Sequence, residues 1–299
     1  MNIIYLLIIS IIIYLLLNHF IYNNPLDINN LLNIPNIQHK NQHKIINSMN
    51  KNGFVIIPNV LSNSDCDDLL KIINQEEKNE FQQKVSINSD INRCDVHLPL
   101  EKTQKYIKKI YLKLKHFCDT LLPGSQLIEN SAFITYPESF PQAWHIDYEI
   151  DYDMQNDHIV NVMSFGIALD DITHNMGPLE YYKGSHKIWK HHDKLFEKYN
   201  IPEEEFDPDE YENIPDGSKI QRYQRLCNAL KFKKKSCTCK KGSLVIWSWR
   251  GIHRGGANSE KRRPVFYFSL MEKGKDPEGT VYSLKKYNNN LTYIVSNVE

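Results

Sequence analysis

The pattern of apolar and polar positions divides the chain into a helical first part and a β-rich second part. A nearly unbroken apolar run covers residues 3–17, and residues 23–45 are rich in Asn, Gln and His. Residues 53–58 form a short apolar run that ends at a proline, which is typical of a strand. Apolar residues then recur at helical spacing after Ser62 and again over residues 103–121. The pattern therefore predicts two amphipathic helices after a first strand.

From residue 131 the pattern changes to short runs of β-branched and aromatic residues. Pro and Gly separate these runs, as they do between the strands of an antiparallel sheet. Several short strands after helices predict an α+β chain whose core is a sandwich or a jelly roll. The predicted strands cover residues 132–136, 144–148, 160–169, 179–182, 242–249 and 264–271.

Residues 190–240 interrupt the strand pattern with a charged segment that contains prolines and ends in a basic, helix-like stretch. Most connections in compact domains are much shorter than this segment. It is therefore predicted to be an insertion between core strands, serving either as a substrate-covering lid or as an inert surface excursion. The folded domain is expected to span residues 46–299, with residues 23–45 as a tether.

The N-terminal apolar segment carries no charged side chain and has about the 20 residues that a membrane-spanning helix needs. Residues 1–22 are therefore predicted to be a transmembrane signal-anchor, which would make the chain a single-pass membrane protein. A cleaved signal peptide is the weaker alternative, because no Lys or Arg precedes the run and no cleavage site follows it. Lys40 and Lys44 slightly favour a cytoplasmic catalytic domain.

Charge and cysteine content narrow the range of functions. The 36 Lys and Arg residues balance 36 Asp and Glu residues, so the basic excess of a nucleic-acid-binding protein is missing and no such partner is expected. The six cysteines are scattered and are predicted to be reduced thiols. Cys227 with Cys237 and Cys239 is an alternative zinc site, although the usual Cys-x-x-Cys spacing is absent.

Three residues suggest a metal site. In a strand, His145 and Asp147 point to the same face, so an imidazole nitrogen and a carboxylate oxygen can reach one metal ion. His253 is the best candidate for a third ligand, because it follows an apolar strand and precedes a glycine-rich turn. Two histidines and one carboxylate with open positions are the ligand set of non-haem Fe(II) oxygenases.

A basic pair follows the third candidate ligand. Arg263 lies ten residues after His253, at the start of the last predicted strand. Its guanidinium is suited to gripping a carboxylate with two hydrogen bonds, and the co-substrate 2-oxoglutarate has a distal carboxylate that needs such a partner. Arg262 remains a second candidate for this role.

Five sequence blocks, taken in order, resemble motifs of the phytanoyl-CoA dioxygenase family, and the similarity extends from residue 53 to about residue 271. The resemblance implies a double-stranded β-helix, a jelly-roll and cupin-like core with flanking N-terminal helices. It also implies Fe(II) bound by His145, Asp147 and His253, with Arg263 on the distal carboxylate of 2-oxoglutarate. The five blocks are residues 53–61, 93–100, 144–147, 176–187 and 253–259.

The family pattern assigns two more residues and shows one departure. Gln142 matches a glutamine that contacts the co-substrate in some members, whereas His186 is expected to be structural. Arg263 is one residue closer to the distal histidine than the family arginine usually is. Because related halogenases lack the carboxylate ligand, Asp147 favours hydroxylation.

The predicted function is an Fe(II)- and 2-oxoglutarate-dependent dioxygenase. It would use O2 to hydroxylate a small-molecule or lipid-like substrate that the sequence does not identify, releasing succinate and CO2. Three alternatives stay open: a non-catalytic jelly-roll binding protein, a metal-dependent hydrolase on the same fold, and a tethered interaction protein whose function lies in residues 190–240.

Overall fold

The computed structural model describes residues 39–83, 92–147, 160–202, 222–273 and 293–294. The elements among them belong to one compact unit, His39–Glu299. The helices are α1 His39–Asn52, α2 Asn63–Gln83, α3 Leu100–Lys113, α4 Lys115–Leu121, α5 His192–Lys198 and α6 Arg222–Ala229, with 3-10 turns at Ser185–Lys187 and Trp189–His191.

The strands form two antiparallel sheets. The larger sheet has the order β1-β7-β4-β9-β3-β10, with β2 also paired to β3, and the smaller sheet has the order β6-β5-β8. The strands are β1 Phe54–Ile57, β2 Arg93–His97, β3 Gln126–Thr135, β4 Val162–Ala168, β5 Leu179–Tyr182, β6 Lys234–Ser236, β7 Leu244–Ser248, β8 His253–Gly255, β9 Arg263–Met271 and β10 Tyr293–Ile294.

The two faces of the larger sheet differ in chemistry because successive strand residues point to opposite sides. On one face Phe165 of β4 stacks on Phe268 of β9 at 5.0 Å between ring centroids, and Phe117 of α4 packs edge-on at 6.4 Å from Phe165. The alternate residues, such as Ser164 and Tyr267, face a cavity on the other side. The helices therefore cover one face and leave the other free for a site.

Buried polar groups join the helical layer. The side chain of Gln42 in α1 accepts a hydrogen bond from the amide of Phe117 at 3.0 Å and donates one to the carbonyl of Lys113 at 3.3 Å. Lys113 in turn donates to the carbonyl of Val60. Because buried polar groups need partners, these bonds fix how α1, α3 and α4 pack together.

The mixed helix-and-sheet prediction is confirmed, and two antiparallel sheets on either side of a cavity are consistent with a jelly-roll core. Two details of the prediction were wrong. The helix expected over residues 103–121 is divided at Leu114, whose φ of −114° and ψ of 17° are not helical. The strand expected at residues 144–148 is an extended segment with a single bridge at His145 over its described residues.

The membrane prediction is corrected. None of the helices in the described ranges has both the length and the apolar composition that crossing a bilayer requires. The longest of them, α2, has 21 residues but carries acidic and basic side chains such as Asp68 and Lys71. Residues 1–22 and the start of the predicted tether lie outside the described residues. The structure therefore does not support a single-pass membrane protein.

Candidate metal centre

A cavity of about 390 Å³ lies between the two sheets. This volume is within the range of sites for small organic molecules. The larger sheet supplies one wall, while β5 and β8 of the smaller sheet supply Leu179, His253 and Gly255. The residues of the larger sheet that face the cavity include Glu129, Ser164, Val245, Arg263, Val265 and Tyr267.

The structure brings His145, Asp147 and His253 together at this cavity. The backbones of His145 and His253 exchange two hydrogen bonds, at 3.0 and 2.9 Å, so the two residues lie directly opposite each other. The amide of Asp147 donates to the carbonyl of Trp249 at 3.0 Å. These three backbone hydrogen bonds therefore fix the backbone positions of the three candidate ligands.

The two imidazole rings present the same nitrogen to the centre. Nδ1 of His145 lies 2.7 Å from the carbonyl of Ala143, and Nδ1 of His253 lies 2.9 Å from the carbonyl of Gly251. A carbonyl can only accept, so each Nδ1 carries the proton and each Nε2 keeps a free electron pair. These Nε2 atoms lie 3.6 and 3.3 Å from the carboxylate oxygens of Asp147.

This arrangement fits a divalent transition metal. The three ligand atoms lie within 4.8 Å of one another, in the only such group of His, Cys, Asp and Glu side chains in the described part of the chain. Two imidazoles and one carboxylate favour iron and leave positions open for other ligands. The carbonyl partners of the Nδ1 atoms orient the rings, as outer partners do in metal sites.

Exposure and charge differ across the three side chains. His253 is 5% exposed, whereas His145 is 38% and Asp147 28% exposed, so the centre opens on the His145 side. Burial raises the pKa of Asp147, but His253 and His145 outweigh it and hold this pKa below its usual value. Burial lowers the pKa of His253, but Asp147 outweighs it and raises the value. Both shifts reflect pairing of the Asp147 carboxylate with protonated imidazole, and a bound metal would take the place of the Nε2 protons.

Tyr181 supports the third candidate ligand from behind. Its ring is fully buried and stacks on His253, with centroids 6.1 Å apart and an angle of 13° between the planes. The Tyr181 ring fits against the backbone of residue 251 only because that residue is glycine. A Cβ atom there would lie 1.4 Å from the Tyr181 hydroxyl oxygen and 2.0 Å from Cζ.

Gly251→Ala is expected to destabilise the protein by about 1–3 kcal/mol or more, because a buried ring has no room to move away. The displaced Tyr181 ring would press on His253, so Fe(II) affinity should fall as well. Thermal unfolding and metal titration measure the two effects. Ser259→Ala, at an exposed position in the same loop region, should change neither, and an unchanged Gly251→Ala protein would contradict this packing.

The two candidate arginines have different environments. Arg263 is buried, lines the cavity and donates to the hydroxyl of Thr135 at 2.6 Å. Arg262 points elsewhere and pairs with Glu77 of α2 at 2.7 Å. Burial and the nearby charge of Arg93 lower the pKa of Arg263 to about 9.

Arg263 has the features of a receptor for a carboxylate ligand. Among the described residues no carboxylate lies within salt-bridge distance of it, and its buried Nε has no hydrogen-bond partner. A buried guanidinium without a counter-charge is costly, so a carboxylate ligand would stabilise it. The distal carboxylate of 2-oxoglutarate has the required chemistry.

Gln142 also lines the cavity, and its side-chain oxygen accepts a hydrogen bond from the amide of Gly255 at 2.9 Å. Arg93 of β2 donates to the carbonyls of Phe140 and Gly256, at 2.5 and 2.7 Å. These bonds tie the segment before His145 to the turn after His253. Gly255 leaves the necessary space, since a Cβ there would lie within 2.8 Å of both side chains.

The alternative cysteine site does not occur among the residues that the structure describes. Cys227 packs with Trp144, Tyr182 and Ile252, whereas Cys237 packs against a different group around Tyr181. All six cysteines are free thiols. Burial raises the pKa of the Cys237 thiol, which keeps it protonated.

Sequence reasoning missed one charged residue of the cavity, Glu129. It lies on the first half of β3, which the strand prediction left out because Glu129, Asn130 and Ser131 are polar. Burial, together with the charges of Asp147 and Asp95, raises the pKa of Glu129 to about 8, against a hydrogen bond from Ser269 that lowers it. The sequence signal for Glu129 was a carboxylate at a strand position whose side chain points inward, because an unpaired charge is costly to bury there.

Comparison by sequence identifies the family. The sequence profile of the phytanoyl-CoA dioxygenase family matches residues 49–265, which is most of the chain. The chain belongs to the phytanoyl-CoA dioxygenase family. The resemblance predicted from the five sequence blocks is therefore confirmed. A comparison with curated proteins gave no match.

Solved structures show the same fold as this family member. AviO1 from Streptomyces viridochromogenes Tue57 has a TM-score of 0.53 at 15% identity, covering 79% of this chain and 97% of its own. The epimerase SnoN from nogalamycin biosynthesis, in complex with Fe3+, α-ketoglutarate and nogalamycin RO, has a TM-score of 0.52 at 13% identity, covering 79% and 92%. At these identities the likeness establishes the fold, and iron and 2-oxoglutarate are ligands of that relative.

Proposed function

We propose that the chain is an Fe(II)- and 2-oxoglutarate-dependent dioxygenase that hydroxylates a small organic molecule. His145, Asp147 and His253 are the proposed metal ligands, and Arg263 is the proposed anchor of the 2-oxoglutarate distal carboxylate. The proposed catalytic domain covers residues 46–299, with residues 190–240 as an insertion, and the start of α1 from His39 packs with it through Gln42.

One observation carries this proposal: a His-Asp-His cluster and an unpaired buried arginine line the same cavity. The cluster alone suits several metals, and a buried arginine alone suits any anion. Together they match a co-substrate that has a metal-chelating end and a distal carboxylate. Membership of a dioxygenase family points to the same chemistry.

Each side chain has a defined part in this mechanism. Arg263, positioned by its hydrogen bond to the Thr135 hydroxyl, holds and orients the far end of the co-substrate, while Gln142 keeps the turn after His253 in place. The carbonyls of Ala143 and Gly251 hold the histidine protons on Nδ1, so both Nε2 atoms stay available. Bound Fe(II) would supply reductive activation of O2, with one oxygen atom going to succinate and the other to the substrate carbon.

The cavity wall favours a small substrate and excludes water. Phe133, Val245, Trp247 and Val265 give the wall a largely apolar character. An apolar, enclosed site shields a reactive centre from side reactions. Asp147 occupies the carboxylate position, which favours transfer of hydroxyl rather than of another group.

Co-substrate turnover tests the proposal. The protein should be purified anaerobically, supplied with Fe(II) and ascorbate, and assayed for succinate formed from 2-oxoglutarate under O2. We expect slow succinate formation without added substrate and none when Fe(II), 2-oxoglutarate or O2 is left out. Zn2+ in place of Fe(II) should give no succinate, because zinc has no redox chemistry. Succinate formation that does not need Fe(II) would contradict the proposal.

A further inference from the structure

Glu129 lies in the cavity wall without a cation to balance it. The charges of the Asp147 and Asp95 carboxylates act on it, and among the described residues no Lys or Arg lies within salt-bridge distance. Burying a charge without a counter-charge is costly, so an enclosed acidic side chain needs a compensating partner. Nothing in the proposed metal and co-substrate chemistry uses this residue.

A directional chain of hydrogen bonds leads to Glu129. The indole N–H of Trp249 donates to Ser164 Oγ at 2.8 Å, and Ser164 Oγ lies 2.7 Å from Ser269 Oγ. Ser269 Oγ donates to Glu129 Oε2. Because each hydroxyl has one proton and Ser269 gives its proton to the carboxylate, Ser164 donates to Ser269.

The chain of hydrogen bonds therefore positions the carboxylate rather than neutralising it. It supplies one donor to Oε2, while Oε1 accepts no hydrogen bond from the residues that the structure describes. Glu129 also lines the cavity. A partner for Oε1 thus has to come from the cavity itself.

Glu129 lies at the end of the cavity opposite Arg263. On β9, Arg263 pairs with Thr135 of β3, and Ser269 pairs with Glu129. Six residues separate the two positions, which corresponds to roughly 20 Å of strand. If 2-oxoglutarate extends from the metal towards Arg263, the Glu129 end is left for the substrate.

Aromatic rings accompany the carboxylate at this end. Trp249 and Tyr267 both line the cavity, and the amide of Asp147 binds the carbonyl of Trp249 at 3.0 Å. Aromatic faces attract organic cations, and a carboxylate adds a directed, charged hydrogen bond. This end thus has the chemistry that recognises a protonated amine and sits next to the metal ligands.

We propose that Glu129 is the specificity-determining residue of the substrate site and that the substrate is a small organic amine, bound through its protonated nitrogen. The proposal rests on the proposed dioxygenase function, because it takes the opposite end of the cavity to hold 2-oxoglutarate. The apolar wall around Trp247 and Val245 receives the carbon skeleton of the amine.

Ligand preference tests this assignment. Phenethylamine, 2-phenylethanol and 3-phenylpropanoate carry a positive, a neutral and a negative group on similar skeletons. Their binding to the full-length protein is followed by tryptophan fluorescence, since Trp247 and Trp249 line the cavity. We expect the amine to bind at least about ten-fold more tightly than the alcohol, and the acid to bind most weakly.

Two Glu→Gln variants, which keep the size of the side chain, test whether the preference for the amine depends on Glu129. Glu129→Gln should abolish the difference between amine and alcohol, and Glu197→Gln on exposed α5 should retain it. Equal binding of the three probes to the wild-type protein, including no binding by any of them, overturns the proposal. A preference that survives in Glu129→Gln overturns it as well.

Binding without turnover separates this inference from the proposed function. The fluorescence titration is run both with and without Fe(II) and 2-oxoglutarate, and succinate is measured in parallel. An amine preference that depends on Glu129 supports the site even if no succinate forms, in which case only the dioxygenase function fails. Succinate formation without any amine preference leaves the dioxygenase function in place and overturns the role of Glu129.

Discussion

Replacing Asp147 with Ala is expected to abolish succinate formation and to weaken Fe(II) binding by more than about 100-fold. Loss of a residue that only hydrogen-bonds to a metal ligand costs roughly 10- to 100-fold in metal affinity or activity. Loss of a ligand itself should therefore cost more. Removal of the carboxylate itself leaves two neutral imidazoles, which hold a divalent ion poorly. His253→Ala should have a similar effect, because the buried Nε2 of His253 faces the same point as Asp147.

Anaerobic Fe(II) titration and the succinate assay measure these losses. Asp68→Ala and His174→Ala are matched controls, since both positions are exposed and lie outside the cavity. They should keep wild-type values for both quantities. If Asp147→Ala retained wild-type metal affinity, the three side chains would not form the metal site.

Replacing Arg263 with Gln is expected to raise the dissociation constant of 2-oxoglutarate by about 100-fold or more while Fe(II) affinity changes little. A buried, doubly hydrogen-bonded ion pair loses about 3–5 kcal/mol when one partner is removed, which corresponds to this factor. Calorimetric titration of 2-oxoglutarate into the anaerobic Fe(II) protein gives the constant.

Arg262→Gln is the matched control for this experiment, because the neighbouring side chain pairs with Glu77 outside the cavity. It should leave the 2-oxoglutarate dissociation constant within a small factor of the wild-type value. If Arg262→Gln weakened binding and Arg263→Gln did not, the assignment of the two arginines would be reversed.

Strands made mainly of apolar residues were predictable from the sequence. Strands that carry polar site residues were predicted less well. The predicted strand at residues 179–182 coincides with β5, and the strand predicted at residues 264–271 differs from β9 by one residue. By contrast, the first half of β3 was missed, since its polar side chains face the cavity or buried partners. Alternation of apolar residues fails as a signal where the inner face is a polar site.

The site shows the same division. The family motifs predicted that His145, Asp147 and His253 belong together, and the structure places their ligand atoms within 4.8 Å of one another. The choice between Arg262 and Arg263 needed the structure, because only the strand register shows which side chain faces the cavity. Glu129 lies outside the five motif blocks and needed the structure too.

The membrane prediction rested on the length, the apolar composition and the lack of charge of the N-terminal segment, which lies outside the described residues. Hydropathy reports composition but not the element in which a segment is placed. Among the described residues, helix α2 has 21 residues, which is long enough to cross a bilayer, but its charged side chains make it unsuitable for that. Length and composition therefore have to be assessed on the same helix.

The most direct test of the account is anaerobic co-binding of Fe(II) and 2-oxoglutarate to the wild-type protein. Calorimetry, with the ultraviolet-visible absorption of the complex as a second readout, should show one 2-oxoglutarate bound per chain when Fe(II) is present. Without the metal, binding should be much weaker, since the chelating end then has no partner. A protein that binds neither ligand, or that binds 2-oxoglutarate equally well with and without Fe(II), would contradict the assignment of this cavity as a dioxygenase active site.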